Sequence, residues 1–167
     1  NSIHVIGNGR LTGEVFVQGS KNAVLPILAA TILINGVCIL KNCPDISDVD
    51  CMLRLLRCLG CKADRDKDTL IIDTSAVCEN RLPGELVTCM RSSVMLLGPL
   101  LAVCKETTMN YPGGCVIGER PIDIHLQALE ELGASFCLES DGIKGRVSEF
   151  VGTHVTLRFP SVGATEN

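Results

Sequence analysis

The apolar and polar positions of the chain follow a pattern that occurs twice. Leucine recurs at every third position and is followed by glycine over residues 53–60, and the same arrangement returns 73 residues later over residues 126–133. Apolar residues at this spacing indicate one face of a helix, and the glycine indicates its C-terminus. The pattern therefore predicts two related amphipathic helices, over residues 49–58 and 122–132.

A longer apolar run precedes each of these helices, and a basic residue followed by a small polar residue precedes each run. Lys21 and Asn22 stand before the first run, and Arg91 and Ser92 stand at the same place 70 residues later. Apolar residues on every face predict helices that are buried on all sides. The helices are expected over residues 23–34 and 93–104, and short strands near residues 37–40, 70–73, 108–111 and 135–139.

The two halves predict an α/β fold built from repeated units of about 70 residues. Buried helices and strands of alternating polarity, such as residues 14–18, place the helices inside and the sheets outside, the reverse of the usual layering. A third unit is expected to begin at Ser161, and the chain ends shortly afterwards at Asn167. We therefore expect an incomplete inside-out α/β barrel, a fragment of a longer protein that self-associates through its uncovered side.

Composition excludes several classes of protein. Hydrophobic residues make up 46% of the 167 residues, which is enough for one domain with a core. Aromatic residues make up only 3% and the net charge is −4, so stacking platforms and a basic field for nucleic acid are absent from the sequence. No apolar run is long enough to span a membrane, and no signal peptide is visible. Ten cysteines, mostly in apolar runs, favour a reducing, cytoplasmic location.

A loop rich in glycine carries the sharpest chemical signal. Pro112, Gly113 and Gly114 precede Cys115, and Gly118 follows it. Such a loop leaves Cys115 accessible, whereas the other nine cysteines are expected to be protected, and the nearby Arg120 favours the thiolate. The alternative is an ordinary surface loop with an incidental cysteine.

The two helix starts suggest a binding site for anions. Free N–H groups and the positive end of the helix dipole attract phosphate, and Lys21 and Arg91 add formal charge. One such site is also explained by an ordinary N-cap beside a solvated base. Two equivalent sites, with Arg120 as a third base, suggest a pocket for a ligand with two or three negative charges. Asp123 and His125 either reach that ligand or lie on an exposed first helical turn.

No other cluster indicates a metal or cofactor. Cys58 and Cys61 have the spacing of a redox or zinc pair but lack a second pair and a nearby histidine. Residues 45–50 are acidic but lack the glycine and glutamate of a calcium loop, and they read as a helix start capped by Ser47 or Asp48. Residues 64–68 indicate a turn of mixed charge.

These motifs resemble those of the UDP-N-acetylglucosamine 1-carboxyvinyltransferase family of enolpyruvyl transferases. The resemblance covers essentially the whole chain, which would form about the first two-fifths of such an enzyme. The shikimate-pathway enolpyruvyl transferase shares the fold but lacks the loop with Cys115. The matching stretches are residues 11–15, 19–23, 44–49, 90–93, 112–125 and 161–167.

The resemblance implies two inside-out α/β domains of three similar units each. Residues 1–20 would belong to the second domain, and residues 21–167 would form a partial catalytic domain of two units and the start of a third. The implied reaction transfers the enolpyruvyl group of phosphoenolpyruvate to the 3′-hydroxyl of UDP-N-acetylglucosamine, the first committed step of peptidoglycan synthesis. It implies neither a cofactor nor a metal, and no nucleic-acid or membrane partner.

The resemblance also implies a role for each candidate residue. Cys115 would protonate the methylene carbon of phosphoenolpyruvate and control product release as a lid residue. Lys21, Asn22 and Arg120 would bind phosphoenolpyruvate. The nucleotide-sugar would be held by Arg91, Arg120, Pro121, Ile122, Asp123, Ile124, His125, Ser161 and Val162. Two alternatives remain open: a truncated, non-catalytic module that binds a nucleotide-sugar, and an enolpyruvyl transferase of the shikimate type.

Overall fold

The predicted repeat appears in the computed structural model, which describes residues 2–7, 9–113 and 122–167. The first repeat consists of helix α1 (Lys21–Ala30), a 3-10 helix (Thr31–Ile34), strand β1 (Val37–Leu40), helix α2 (Ser47–Cys58), and strands β2 (Lys62–Asp66) and β3 (Thr69–Asp73). A short helix α3 (Gly84–Val87) leads to the second repeat. This repeat consists of a 3-10 helix (Arg91–Leu96), helix α4 (Leu97–Cys104), strand β4 (Glu106–Asn110), helix α5 (Asp123–Glu131), and strands β5 (Ser135–Leu138) and β6 (Gly142–Arg146). Helix α6 (Val162–Glu166) follows.

Each repeat contains an antiparallel sheet of three strands with the same topology. The strand orders are β1-β3-β2 and β4-β6-β5, so in each sheet the last strand of the repeat lies in the middle. The four predicted strands are present, but β2 and β6 were not expected. The predicted turn at residues 64–68 is wrong in part, because Asp64, Arg65 and Asp66 pair with β3 and only Lys67 and Asp68 form the turn. β2 shows no apolar pattern in the sequence, because Ala63 is its single buried residue and the others are charged.

The amphipathic helices α2 and α5 end in the predicted way. Gly60 and Gly133 have φ angles of +98° and +104°, a conformation that glycine adopts without a steric penalty. In α2 the N–H of Gly60 donates to Arg57 and that of Cys61 donates to Leu56, both at 3.0 Å. The equivalent pair of bonds closes α5. These are Schellman motifs, which satisfy the last carbonyls of a helix and turn the chain towards the following strand.

The first helices of the two repeats pack side by side. α1 contacts the 3-10 helix Arg91–Leu96, which precedes α4, and α4 contacts the 3-10 helix Thr31–Ile34, which follows α1. The two segments therefore lie start beside start and end beside end, so α1 and α4 run in the same direction. Their inner faces, with Leu25, Leu28 and Leu97, are fully buried in the shared core. The prediction that they are buried on every side is wrong. The outer strip is partly open in the described part of the chain, where Ile27, Leu33, Ile34 and Val103 are 44–60% exposed.

The predicted strand at residues 14–18 is also wrong for this structure. Residues 9–20 contain no strand, and Val15, Phe16 and Val17 are at least 87% exposed. A strand of alternating polarity needs a neighbouring strand for its backbone hydrogen bonds, and none of the described strands lies beside this segment. Among the helices that the structure describes, none is long and apolar enough to cross a membrane.

Candidate functional site

A cleft of about 510 Å³ opens where the starts of three helical segments meet. α1 contributes its first residues, the second repeat contributes the start of its 3-10 helix, and the turn before α6 closes a third side. α2 and α5 add one side chain each, and the turn between α3 and the second 3-10 helix adds Cys89 and Met90. The lining residues are Lys21, Asn22, Asp48, Cys89, Met90, Arg91, Ser92, Val94, Met95, His125, Ser161 and Gly163.

The spacing of the repeat explains why these residues meet. Lys21, Arg91 and Ser161 are 70 residues apart in sequence, and all three line the cleft. A helix was expected to begin near Ser161, and α6 begins at the next residue. The Ser161 hydroxyl caps this helix by accepting a hydrogen bond from the N–H of Ala164 at 3.3 Å. Residues at the 70-residue spacing therefore line one cleft.

The two predicted N-caps lie one position inside their helices. α1 begins at Lys21, with Ser20 before it, and the 3-10 helix begins at Arg91, with Met90 before it. Asn22 and Ser92 therefore lie in the first turns and line the cleft rather than cap a backbone N–H. In the same way Ser47, a predicted cap, is the first residue of α2 after Ile46.

Lys21 forms an ion pair inside the cleft. Its Nζ lies 2.6 Å from Oδ2 of Asp48 in the first turn of α2, and 52% of the Lys21 side chain remains exposed. Sequence reasoning considered Asp48 only as a helix cap and missed this contact. The signal was the position of Asp48 at a helix start, where a carboxylate also meets the positive end of the dipole.

His125 is buried at the inner wall of the cleft, with 6% of its surface exposed. Burial disfavours the charged imidazolium and, with Arg91 nearby, lowers the pKa of His125 to about 4, although Asp123 acts in the opposite direction. The imidazole is therefore neutral at pH 7. The alternative that His125 lies on an exposed first helical turn is therefore wrong. The residue faces the cleft together with Arg91 and Ser161.

The remaining predicted residues are not gathered in this cleft. Asp123 forms an ion pair with Arg158 and accepts a hydrogen bond from the N–H of Ile124 at 2.9 Å. Ile122 packs against the core, and Val162 lines a smaller adjoining cleft of about 200 Å³. Binding roles for these four residues stay predictions. Cys115, Arg120 and Pro121 lie outside the described residues.

The expectation that nine cysteines are protected is wrong. Cys58, Cys78, Cys89 and Cys137 are exposed, because an apolar sequence neighbourhood does not decide which side of an element a residue occupies. Cys89 also lines the cleft, which sequence reasoning did not anticipate. Its thiol contacts that of the buried Cys51, and burial raises the pKa of the Cys51 thiol.

A larger cleft lies against the second sheet, with a volume of about 650 Å³. Arg81, Lys144 and Arg146 line it, together with Glu106. None of the predicted site residues within the described ranges lines it, and Asn80 already donates a hydrogen bond to Glu106 at 3.0 Å. No group of three or more metal-ligating side chains occurs within the described ranges. The helix-start cleft is therefore the stronger candidate site.

Comparisons with known proteins point to one family. Residues 5–167 match the family model described as EPSP synthase (3-phosphoshikimate 1-carboxyvinyltransferase). The chain is 44% identical over 161 residues to UDP-N-acetylglucosamine 1-carboxyvinyltransferase 2 of Caldanaerobacter subterraneus, covering 96% of this chain and 39% of that protein. It is 45% identical over 165 residues to UDP-N-acetylglucosamine 1-carboxyvinyltransferase of Cellvibrio japonicus, covering 98% and 39%. The chain thus spans about two-fifths of the length of these relatives.

Solved structures with a similar fold are enolpyruvyl transferases. The crystal structure of the enolpyruvyl transferase NikO from Streptomyces tendae superposes with a TM-score of 0.75 at 24% identity, over 86% of this chain and 32% of that chain. EPSP synthase from Acinetobacter baumannii superposes with a TM-score of 0.64 at 16% identity, over 92% of this chain and 36% of that chain. At these identities the likeness concerns the fold.

Proposed function

Because the chain belongs to the EPSP synthase family over residues 5–167, we propose that it is part of a cytoplasmic UDP-N-acetylglucosamine 1-carboxyvinyltransferase. The enzyme transfers the enolpyruvyl group of phosphoenolpyruvate to the 3′-hydroxyl of UDP-N-acetylglucosamine and releases phosphate. The observation that carries the proposal is the cleft in which Lys21, Asn22, Arg91, His125 and Ser161 come together. Relatives that are 44–45% identical and bear this name support it.

The cleft suits two anionic substrates. Phosphoenolpyruvate carries a phosphate and a carboxylate, and UDP-N-acetylglucosamine carries a diphosphate. In our proposal Lys21, Asn22 and Arg120 bind the former, and Arg91 faces the latter. Negative charge builds up in the transition state of the transfer. Cations that are already fixed in position stabilise this charge more than water does, because they need not reorient.

The uridine diphosphate is proposed to lie along the start of α5 and the turn before α6. His125 and Ser161 line the cleft at this end, and Val162 lines the cleft beside it. The remaining proposed contacts are Arg120, Pro121, Ile122, Asp123 and Ile124.

The reaction is proposed to proceed by addition and elimination. The thiol of Cys115 gives its proton to the methylene carbon of phosphoenolpyruvate while the sugar 3′-oxygen bonds to the neighbouring carbon and loses its own proton to a base. Removal of a methyl proton then forms the new double bond and expels phosphate. The base and further arginines are expected from the part of the enzyme beyond this chain.

We further propose that residues 21–167 belong to an inside-out α/β barrel of three repeats, and that residues 1–20 belong to a second domain. The repeated sheet topology and the start of α6 at the expected position support the first proposal. The exposed apolar side chains of residues 9–20, including Val15 and Phe16, support the second.

Two other functions have some support. The family model is named for the shikimate-type enzyme, whose acceptor is a phosphorylated shikimate. The second is a binding module without catalysis, because the residues that line the cleft suit an anion whether or not a reaction follows. Ligand choice separates the first alternative from our proposal, and turnover separates the second.

The decisive experiment measures phosphate release from phosphoenolpyruvate and UDP-N-acetylglucosamine. We expect none from the chain alone, since catalysis needs a complete and oriented set of groups. Addition of the missing C-terminal portion, taken from the Cellvibrio japonicus relative, should restore release that depends on both substrates. Replacing Lys21 or Arg91 by Ala should lower it at least tenfold.

Lys62→Ala provides the matched control, because this base lies on strand β2 and does not line the cleft. It should leave the rate unchanged. Release that requires shikimate 3-phosphate instead of the nucleotide-sugar would establish the shikimate-type function. Binding of UDP-N-acetylglucosamine without release in the complemented enzyme would favour the non-catalytic module.

A further inference from the structure

Asn167 joins α6 to three other parts of the fold. Its side-chain Oδ1 accepts a hydrogen bond from the N–H of Gly98 at 3.1 Å, and its Nδ2 donates to the carbonyl of Val94 at 3.0 Å. The same Nδ2 lies 3.1 Å from Nδ1 of His125. Its backbone N–H donates to Gly163 at 3.2 Å. One amide thus connects α4, the preceding 3-10 helix and α5.

These contacts determine which way round the amide lies. A backbone N–H only donates, so the group that faces Gly98 must be the amide oxygen. A backbone carbonyl only accepts, so the group that faces Val94 must be the NH2. The atom opposite His125 is therefore a donor, and Nδ1 of His125 must accept. A neutral imidazole with an acceptor at Nδ1 carries its proton on Nε2.

The surroundings of the ring agree with a neutral donor. Arg91 and Asp123 are the charged groups that act on His125, and burial and Arg91 both oppose protonation. Within the described part of the chain, Nε2 has no hydrogen-bond partner. A Cβ added to Gly163, which lines the cleft, would lie 3.7 Å from Nε2. The ring nitrogen left for a ligand is therefore the one that bears the proton.

We propose that Asn167 is a positioning residue that holds His125 in the neutral Nε2–H tautomer, so that the cleft receives an uncharged donor for a phosphate oxygen of the bound nucleotide. The identity of that oxygen rests on the proposed function. The tautomer does not, because it follows from the hydrogen bonds of Asn167 alone. A role of Asn167 in anchoring α6 would by itself leave the protonation of His125 unchanged.

The test is long-range 1H–15N NMR of the 167-residue chain with labelled histidine. We expect the wild-type chain to show a protonated Nε2 and an unprotonated Nδ1 for His125 at pH 7. Asn167→Asp replaces the donor by a carboxylate of the same shape, which favours protonation of Nδ1. The pKa of His125 should then rise by about one to three units.

Thr165→Val is the matched control on the same helix. The Thr165 hydroxyl donates to the carbonyl of Ser161 at 2.8 Å, so its loss weakens α6 without touching His125. The tautomer should stay the same. A proton on Nδ1 in the wild-type chain would overturn the proposal. This measurement uses the wild-type chain alone, so it does not depend on whether a variant folds. An unchanged His125 pKa in folded Asn167→Asp would also overturn it.

Titration with uridine diphosphate separates this inference from the proposed function. A shift of the Nε2 resonance on addition of the nucleotide supports both. If the nucleotide causes no shift while the Nε2–H tautomer and the response to Asn167→Asp are as expected, the nucleotide site is wrong and the positioning by Asn167 is supported.

Discussion

The Nζ atom of Lys21 lies 2.6 Å from Oδ2 of Asp48, so an acid from α2 partly neutralises a base at the start of α1. Both side chains keep contact with water, and such pairs contribute at most about 1 kcal/mol to stability. The carboxylate of Asp48 and an anionic ligand would compete for the same cation. We therefore expect the ion pair to lower the affinity of the cleft for anions.

Replacing Asp48 by Asn should strengthen the binding of phosphoenolpyruvate by up to about fivefold, because Lys21 no longer has to leave a carboxylate. Calorimetric titration measures this change. Asp50→Asn is the matched control: Asp50 also lies in the first turn of α2, but it pairs with Arg65. Equal effects of the two substitutions would show that the Lys21–Asp48 pair is irrelevant to binding.

The stability of the chain should fall as the pH falls from about 6.5 to 4. In the unfolded chain His125 is protonated near pH 6.5, whereas in the folded chain its pKa is about 4. The unfolded state therefore binds more protons over this range, which costs about 2 kcal/mol between pH 7 and 4.5. Urea unfolding at the two pH values measures the loss.

His125→Gln should reduce this loss by most of that amount, while other groups continue to titrate in both proteins. His154→Gln is the control, because His154 is exposed. The same pH dependence in wild type and His125→Gln would contradict a depressed His125 pKa.

Among the cysteines that the structure describes, neutral iodoacetamide should modify the exposed Cys58, Cys78, Cys89 and Cys137 first. The buried thiols should react slowly, since burial raises the pKa of Cys61 to about 11 and that of Cys43 above its ordinary value. A bound ligand should protect Cys89, which lines the cleft, but not Cys137. Peptide mapping by mass spectrometry measures both effects, and equal protection of the two would place the ligand elsewhere.

Cys115 should be labelled by an anionic reagent, iodoacetate or a phosphonate epoxide, in preference to Cys58, Cys78, Cys89 and Cys137. The reason is attraction to Lys21, Arg91 and Arg120, which a neutral reagent does not feel. Comparing the two reagents by peptide mapping isolates the charge effect from exposure. An equal preference for Cys115 with both reagents would show that the three bases do not form one anion site.

Replacing Gly60 by Ala should destabilise the chain more than replacing Gly133. Both residues have positive φ, which costs other residues about 1–2 kcal/mol. A Cβ on Gly60 would also lie 2.5 Å from the carbonyl oxygen of Ala76, whereas the nearest atom to a Cβ on Gly133 is at 3.1 Å. Denaturant unfolding gives the order. Gly152→Ala meets no atom within 4 Å and should be neutral.

The chain is expected to self-associate through the exposed strip of its first helices. Leu33 and Ile34 are 51% and 60% exposed there, and Leu33→Glu with Ile34→Glu should shift light scattering towards the monomer. Val151→Glu is the control, because Val151 is 62% exposed outside the strip. A wild-type monomer at high concentration would contradict the expectation.

The repeat could be predicted from the sequence because it depends on local physical rules. The spacing of leucines set the faces of α2 and α5, and the two glycines ended them in a conformation that few other residues adopt. The 70-residue spacing of Lys21 and Arg91, with Arg120 as a third base, likewise suggested a common site, and the same spacing predicted the helix start near Ser161. Strand β2 was missed because it is a half-buried edge strand with mostly charged residues, so it shows no apolar alternation. Its strand conformation depends on pairing with β3.

What the sequence alone determined is the local order of elements, the repeat, and the residues that approach one another through its symmetry. Only the tertiary structure decided which polar groups pair across elements: Lys21 with Asp48, Asp123 with Arg158, and Asn167 with His125. It also decided which cysteines are exposed and that the outer strip of the first helices is partly exposed. The physical reason is that hydrophobic periodicity fixes the inward face of an element, whereas hydrogen bonds and ion pairs depend on the packing of elements distant in sequence.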